Sequence, residues 1–178
     1  MKKLLVLIPI IVFAVAVLFI NYHPEAKQIT IVKKEFPKYK AVVQVYKNGK
    51  LIAETHNLLT NIGKEFIEDQ LTNPSTNTTK YISLSTGATD CSESATVLAN
   101  EITTAGLARA EGTVTDTGTG NFTVEKTFIA TGSVSDVQVA GLHWYSSGDD
   151  NLFACANFTS VNLEANDELT IRWIVTIS

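Results

Sequence analysis

Two cysteines and three histidines are the residues of this chain best suited to covalent or metal chemistry. Cys91 and Cys155 are the only cysteines. In a domain outside the cell a single pair favours a disulfide, which would add about 4 kcal/mol of stability for a loop of this length, whereas in a reducing compartment both would stay as thiols. His23, His56 and His143 lie far apart, without the spacing of metal ligands or of a catalytic pair. The sequence therefore predicts no metal site and no catalytic residue.

The sequence also lacks the motifs of the common enzyme classes. The chain contains no nucleotide-binding loop and no nucleophile elbow. Its GTG triplet at 118–120 lies between two β-like runs, whereas a phosphate-binding loop opens a helix. We therefore expect a protein that has no cofactor and is not an enzyme.

The segment SSGDDN at 146–151 is the best candidate for a binding loop. Alternation with apolar neighbours predicts that His143 and Tyr145 face solvent. Tyr145, Asp149 and Asp150 would then form an exposed tip that binds a glycan or a protein of a host surface. Oxygens of Asp149, Asp150 and Asn151 are also of the type that Ca²⁺ prefers, although the ligand spacing of an EF-hand is missing. The simpler interpretation is a polar hairpin turn.

Three Asn-X-Thr triplets make Asn77, Asn121 and Asn157 candidate glycosylation sites. A chain this rich in Ser and Thr contains such triplets by chance. They permit an external location and do not require one.

Most of the elements that would position these residues are β-strands. Asn48-Gly49 stands between two alternating apolar runs, which is the strongest short signal of a hairpin with a type I′ turn. From residue 79 onward the same alternation returns in short runs separated by Gly, Asn and Asp. The closing run, 168–178, is apolar on one face, which predicts a strand inside a sheet and not at an exposed edge.

One segment, at about 61–72, has the period of a helix. Thr60 or Asn61 can cap its start, and Pro74 lies beyond its end. Its apolar side chains recur at helical intervals: Ile62, Phe66, Ile67 and Leu71. Together with seven or eight short strands, this predicts a mainly β chain. The expected fold over 41–178 is a single antiparallel β-sandwich, immunoglobulin-like or jelly-roll-like, with one short α-helix.

The N-terminal part of the chain is of a different kind. Residues 4–20, LLVLIPIIVFAVAVLFI, form an uncharged apolar run after two lysines. Residues 1–21 are therefore predicted to form a hydrophobic helix, either a transmembrane anchor or a signal peptide. The residues after Ile20 lack the small side chains of a signal-peptidase site, which favours an uncleaved anchor. Residues 22–40 follow as a basic stalk or linker.

Charge also divides the chain in two. Residues 21–64 hold eight Lys against three Glu, and residues 65–178 hold four basic against fifteen acidic side chains. An acidic body repels phosphate backbones, so we expect no nucleic-acid partner. The positive-inside rule would place the domain in the cytoplasm, whereas its Ser- and Thr-rich composition and single cysteine pair favour a place outside the cell.

The order of several segments resembles small virion structural proteins related to phage tail fibres, a type also found in archaeal viruses. The resemblance covers about residues 43–178 and rests on NGKLIAETHNLLTNIGKEFIEDQL, YISLSTGATDCSESATVLANEITTAGLARAEGTVTD, TFIATG, AGLHW and VNLEANDELTIRWIVTIS. The matching positions are Thr60, Asn61, Gly63, Gly87, Glu101, Arg109 and Trp173. This resemblance implies a non-enzymatic assembly or attachment module. The N-terminal apolar run departs from it, because a soluble tail component needs no membrane span.

Two functions follow from these features as hypotheses. The first is a non-enzymatic structural or attachment protein, anchored in a membrane by residues 4–20 and displayed outside a cell or on a virion. The second is a secreted subunit of an extracellular filament, in which Ile29–Val32 or Ala41–Val45 adds a strand to the sheet of the next subunit. A basic segment and an acidic body are complementary head to tail, so we expect self-association.

Overall fold

The computed structural model describes residues 38–74 and 77–178. The predicted hydrophobic helix at 1–21 and the β-like run Ile29–Val32 lie outside these residues, as does most of the basic stalk. Within the described ranges, no helix combines the length and the apolar character that a membrane crossing requires.

Strands dominate the described part of the chain, which confirms the predicted mainly β fold with one short helix. The helix is α1 (Asn61–Thr72). The strands are β1 (Tyr39–Lys47), β2 (Lys50–His56), β3 (Leu58–Leu59), β4 (Tyr81–Ser85), β5 (Ala110–Glu111), β6 (Thr113–Gly118), β7 (Asn121–Ile129), β8 (Val134–His143), β9 (Leu152–Leu163) and β10 (Glu168–Ile177). The first strand begins two residues before the predicted domain boundary at 41.

The strands form two antiparallel sheets of five strands each, in the orders β2-β1-β10-β7-β6 and β3-β9-β8-β4-β5. β1 and β2 make the predicted hairpin, with Asn48 and Gly49 at φ values of 50° and 76°, as a type I′ turn requires. β10 is the central strand of the first sheet, as its apolar pattern predicted. β1 is paired on both sides, and Val43 and Val45 are fully buried. The suggestion that this segment is a free donor strand is therefore wrong for the folded domain.

Two segments of the chain pass from one sheet to the other. β2 lies beside β1, and after Asn57 the chain continues as β3 beside β9. In the same way β5 lies beside β4, and after Gly112 the chain continues as β6 beside β7. Because β3 and β5 are short pieces of longer switching segments, the strand count exceeds the seven or eight expected from sequence. Strands that switch sheets join the two layers at their sides.

The main hydrophobic core is built from the inner faces of both sheets. The first sheet contributes Val43, Val45, Val124, Phe128, Ile171 and Trp173, and the second contributes Ile82, Leu84, Ala140, Leu142, Ala154 and Ala156. Full burial of a large apolar side chain stabilises a fold by about 1.5–3 kcal/mol. This shared core therefore holds the two sheets together.

Helix α1 is fixed at its start to the beginning of β9. Thr60 is the cap, and its Oγ accepts the N–H of Gly63 at 2.9 Å and donates to the carbonyl of Leu152 at 2.5 Å. A Cβ at Gly63 would lie 2.1 Å from the carbonyl oxygen of Phe153, so only glycine allows this approach. Leu71, expected on the apolar face, is instead 80% exposed.

The start of the domain and the β8–β9 connection, residues 144–151, lie at the same end of the two sheets. Lys38 and Ser178 exchange two backbone hydrogen bonds at this end. The ring of Tyr39, the first residue of β1, meets Phe153 near the start of β9 with 5.8 Å between ring centroids. The connection precedes β9 directly, so it lies close to the point where the chain enters the domain.

Candidate attachment cleft

Asn151 is the centre of a buried hydrogen-bond network beneath the β8–β9 connection. Its Nδ2 donates to the carbonyl groups of Ser147, Gly148 and Asp149 at 3.3, 2.8 and 2.9 Å. Its Oδ1 accepts from Arg109 Nη1 at 2.9 Å. The side chain is only 1% exposed and its amide is fully engaged, so it does not serve as the Ca²⁺ ligand considered from sequence.

His143 lies in the same network and is fully buried, so the prediction that it faces solvent is wrong. His143 does lie on the opposite face of β8 from the core residues Ala140 and Leu142, and its pairing with Tyr81 of β4 is in register. That opposite face is covered by the connection between β4 and β5, whose Leu98 packs in one cluster with Val139, so alternation along the strand does not by itself give exposure to solvent.

The partners of His143 fix its protonation. Asn151 Oδ1 is an acceptor, so His143 Nδ1, 2.9 Å away, carries the proton and donates. Nε2 then accepts from the hydroxyl of Ser83 at 2.8 Å. Burial, followed by the nearby charge of Arg109, lowers the pKa of His143 to about 3. The imidazole is therefore neutral at pH 7.

Ser83, His143 and Asn151 match a nucleophile, a base and an orienting group in residue type. All three side chains are buried, with exposures of 0%, 0% and 1%. A substrate cannot reach the Ser83 hydroxyl in this arrangement. What the network does is hold the β8–β9 connection against the second sheet.

Arg109 supports the connection from the other side through an ion pair with Glu101. Its Nε and Nη2 donate to the two carboxylate oxygens at 2.9 and 2.6 Å, in the bidentate geometry of strong pairs. The side chains are 6% and 14% exposed. Arg109 Nη1 also reaches the carbonyl groups of Tyr145 and Gly148 at 3.4 and 3.2 Å.

The β4–β5 connection, residues 86–109, carries this ion pair and is itself cross-linked. Cys91 and Cys155 are joined by a disulfide across a sequence separation of 64. The Asp90 carboxylate accepts the backbone N–H and the side-chain amide of Asn100 at 2.8 and 3.0 Å. The disulfide and these hydrogen bonds therefore fix the path of this long connection towards the β8–β9 connection that it supports.

A row of aromatic rings at this end runs from the buried Phe153 out to the surface. Centroid distances are 6.1 Å from Phe153 to Phe66, 4.6 Å from Phe66 to Trp144 and 6.4 Å from Trp144 to Tyr145. Phe66 and Trp144 are stacked with 14° between their planes. The row links α1 to the β8–β9 connection and ends at Tyr145, which is 48% exposed.

A cleft of about 460 Å³ lies between α1 and the β8–β9 connection, and we call it the attachment cleft. It is lined by Ile62, Glu65, Phe66, Asp69, Gln70, Asn73, Asn77, Trp144, Tyr145 and Asp150. Three of these are acidic, three carry amides, and none is Lys or Arg. Its volume lies within the range of about 300–1,000 Å³ that small-molecule sites occupy. The cleft combines apolar ring surface with hydrogen-bond acceptors.

The structure separates the loop residues singled out from sequence. Tyr145 and Asp150 line the attachment cleft, whereas Asp149 lines a second cleft of about 530 Å³ on the other side of the connection. In that second cleft Glu101 and Arg109 are already paired with each other. Across the described residues, no group of three or more His, Cys, Asp or Glu is placed to hold a metal ion.

The three glycosylation candidates stand in different surroundings. Asn157 is exposed on β9. The Asn121 amide is half-buried, accepting from Thr176 Oγ1 at 2.8 Å and donating to the Thr119 carbonyl at 3.0 Å. The Nδ2 of Asn77, to which a sugar would be attached, donates to Tyr145 Oη at 3.0 Å in the attachment cleft.

Sequence reasoning missed the helix side of the cleft. Glu65 and Asp69 are four residues apart and flank Phe66, so they share one face of α1 and frame its aromatic ring. That spacing was visible in the sequence. Ser83, by contrast, gave no signal, because its role depends on a histidine 60 residues away.

Comparisons with protein-family models, curated proteins and solved structures found no match to this chain.

Proposed function

We propose that this chain is a non-enzymatic surface protein, anchored by residues 4–20 and displayed outside a cell or on a virion. In this role the β-sandwich, of immunoglobulin-like or jelly-roll-like type, serves attachment or assembly. The attachment cleft is the surface through which it contacts its target.

The disulfide is the observation that supports an external location. Cys155 is fully buried, and it packs with Leu98, Val139 and Leu152 in a hydrophobic cluster that Cys91 also contacts. A disulfide packed into a hydrophobic cluster in this way is a structural cross-link, and bonds of this kind persist in oxidising surroundings. A domain that depends on it belongs outside the reducing cytosol.

Attachment is supported by the way the cleft is built. The wall of the cleft formed by Trp144, Tyr145 and Asp150 stands on a connection that is held by Asn151, His143 and Arg109. Pre-organised loops lose little conformational entropy when a ligand binds. Rigid scaffolds that present a fixed loop are the usual places for recognition.

Intact mass under non-reducing conditions, measured on protein from its native source, tests this proposal. We expect a mass that includes residues 1–20 and lies below the reduced value by two hydrogen atoms. Protease added to intact cells or virions should remove the described domain. A protein that remains protected after such treatment, with both cysteines as thiols, would overturn the external location.

A secreted filament subunit is the second candidate, and the free edge of β9 favours it. β9 pairs with β3 only at Ala154 and Cys155, so from Ala156 to Leu163 this side of the strand has no partner strand among the described residues. A groove of about 350 Å³ lies between this edge and β2. An added strand from a second chain fits such an edge.

Sedimentation of the recovered protein at low and high salt tests the filament. Assembly by a cleaved chain, weakened by salt and abolished by Asn157→Arg in the groove, would establish it. Thr115→Arg on the opposite edge strand, β6, is the matched control and should assemble normally. A chain that keeps residues 1–20 and stays monomeric at all salt concentrations would exclude it.

A further inference from the structure

We propose that the attachment cleft binds an uncharged or amino-bearing glycan, with a sugar ring stacked on Tyr145. This inference names the ligand class of the site in the proposed function and rests on that function.

The aromatic end of the cleft provides the stacking surface. Phe66 covers one face of Trp144 at 4.6 Å, so the indole is fixed in place and continues into the exposed ring of Tyr145. An aromatic side chain that has an apolar ring surface and a polar tip in contact with water is suited to ligands that are partly apolar and partly polar. The C–H face of a pyranose ring is such a surface.

The polar rim provides acceptors for hydroxyl groups. Glu65, Asp69 and Asp150 are carboxylates that only accept hydrogen bonds. A ligand that satisfies this rim must bring several donors within a small volume. Sugar hydroxyls and amino groups do so.

Charge decides between kinds of glycan. The cleft lining contains three acidic side chains and no Lys or Arg, and residues 38–178 hold sixteen acidic against nine basic side chains. Anionic sugars such as sialic or uronic acids are repelled by this field, whereas neutral and amino sugars are not. Because no set of acidic groups in the described residues is arranged to hold a metal ion, cation binding is not the alternative that the geometry supports.

The full chain, applied to a printed array of neutral, amino-bearing and anionic glycans, is the test. We expect signal on neutral or amino-bearing glycans and none on anionic ones. Tyr145→Ala should abolish it, and Tyr145→Phe should keep it because the ring remains. Asp150→Asn should weaken binding about tenfold, the effect of one charge-assisted hydrogen bond.

Matched controls exclude a general loss of structure. Asp149→Asn changes the neighbouring carboxylate, which lines the other cleft, and Leu71→Ala removes an exposed side chain of α1 outside the lining. Both variants should bind like the unchanged protein. Preference for anionic glycans, no glycan signal at all, or signal unaffected by Tyr145→Ala would each overturn the inference.

Failure of this inference is distinguishable from failure of the proposed function. Attachment of the native particle or cell to its target is measured before and after enzymatic removal of surface glycans. If attachment depends on Tyr145 but survives deglycosylation, the proposed function stands and the glycan inference fails. If the protein is not exposed on the surface, the proposed function itself fails.

Discussion

Arg109 and Asn151, 42 residues apart in the chain, are joined by a hydrogen bond of 2.9 Å from Nη1 to Oδ1. The same guanidinium is paired in bidentate fashion with Glu101, and the same amide holds three carbonyl groups of the β8–β9 connection. One ion pair therefore orients the loop that forms a wall of the attachment cleft.

Removing one member of this pair should be costly. Glu101→Gln leaves the Arg109 guanidinium buried without its counter-charge, and breaking a buried pair in this way costs about 3–5 kcal/mol. Urea unfolding monitored by tryptophan fluorescence measures the change. Glu111→Gln, which removes the partner of Lys80 in an exposed pair, is the control and should change stability by about 1 kcal/mol or less. Equal effects of the two substitutions would contradict a special role for Glu101.

The buried imidazole of His143 should make stability depend on pH. Its pKa is about 3 in the fold and 6.5 ordinarily, so between these values the unfolded chain binds a proton that the folded chain does not. The free energy of unfolding should thus have its full value above pH 6.5 and fall by about 1.4 kcal/mol for each pH unit below 6.5.

Asp167 does not contribute to the pH dependence of stability in this range. Hydrogen bonds from Asn48, the backbone of Glu164 and Lys47 hold the pKa of Asp167 well below its ordinary 3.8, so its contribution is lost only at lower pH. Unfolding curves at pH 7, 6 and 5 isolate the histidine. His143→Gln should remove the slope, whereas His56→Gln, at an exposed position, should leave it. A slope that persists in His143→Gln would assign it to another group.

Reduction of the disulfide should lower stability by about 4 kcal/mol, the chain-entropy estimate for a loop of this length. Thermal unfolding with and without a reductant measures the loss, and the double variant Cys91→Ser, Cys155→Ser should show it without any reductant. An unchanged midpoint after verified reduction would show that the hydrophobic cluster around Cys155 holds the connection unaided.

Gly63→Ala should destabilise the domain by about 1–3 kcal/mol, because the new methyl group overlaps the carbonyl of Phe153 and rigid backbone cannot move aside easily. Gly132→Ala, where a Cβ meets nothing within 4 Å, is the matched control. Guanidinium unfolding of both variants gives the comparison. A neutral Gly63→Ala would mean that α1 can shift away from β9.

Asn157 should be modified in preference to Asn121 if the chain passes a glycosylation machinery. The Asn157 side chain is exposed, whereas the Asn121 amide is used by Thr176 and Thr119. Mass spectrometry of tryptic glycopeptides measures the occupancy of each site. Full occupancy of Asn121 alone would indicate that modification precedes folding of the β6–β7 hairpin.

Local patterns in the sequence determined the elements of this protein. Asn48-Gly49 supplies the positive φ angles that a tight hairpin needs, and Thr60 supplies a cap for α1, so both features depend on neighbours in the chain. The alternation in β10 was likewise enough to predict its buried face, because side chains of a strand point to opposite sides in turn.

Tertiary structure alone decided how these elements make a site. The burial of His143 depends on the β4–β5 connection that covers the outer face of the second sheet, and the tautomer of its ring depends on Asn151 and Ser83. The attachment cleft exists only because α1 is seated on β9 through Thr60 and Gly63. Each of these relationships joins residues that are distant in the chain, and local spacing carries no information about which distant partners a fold brings into contact.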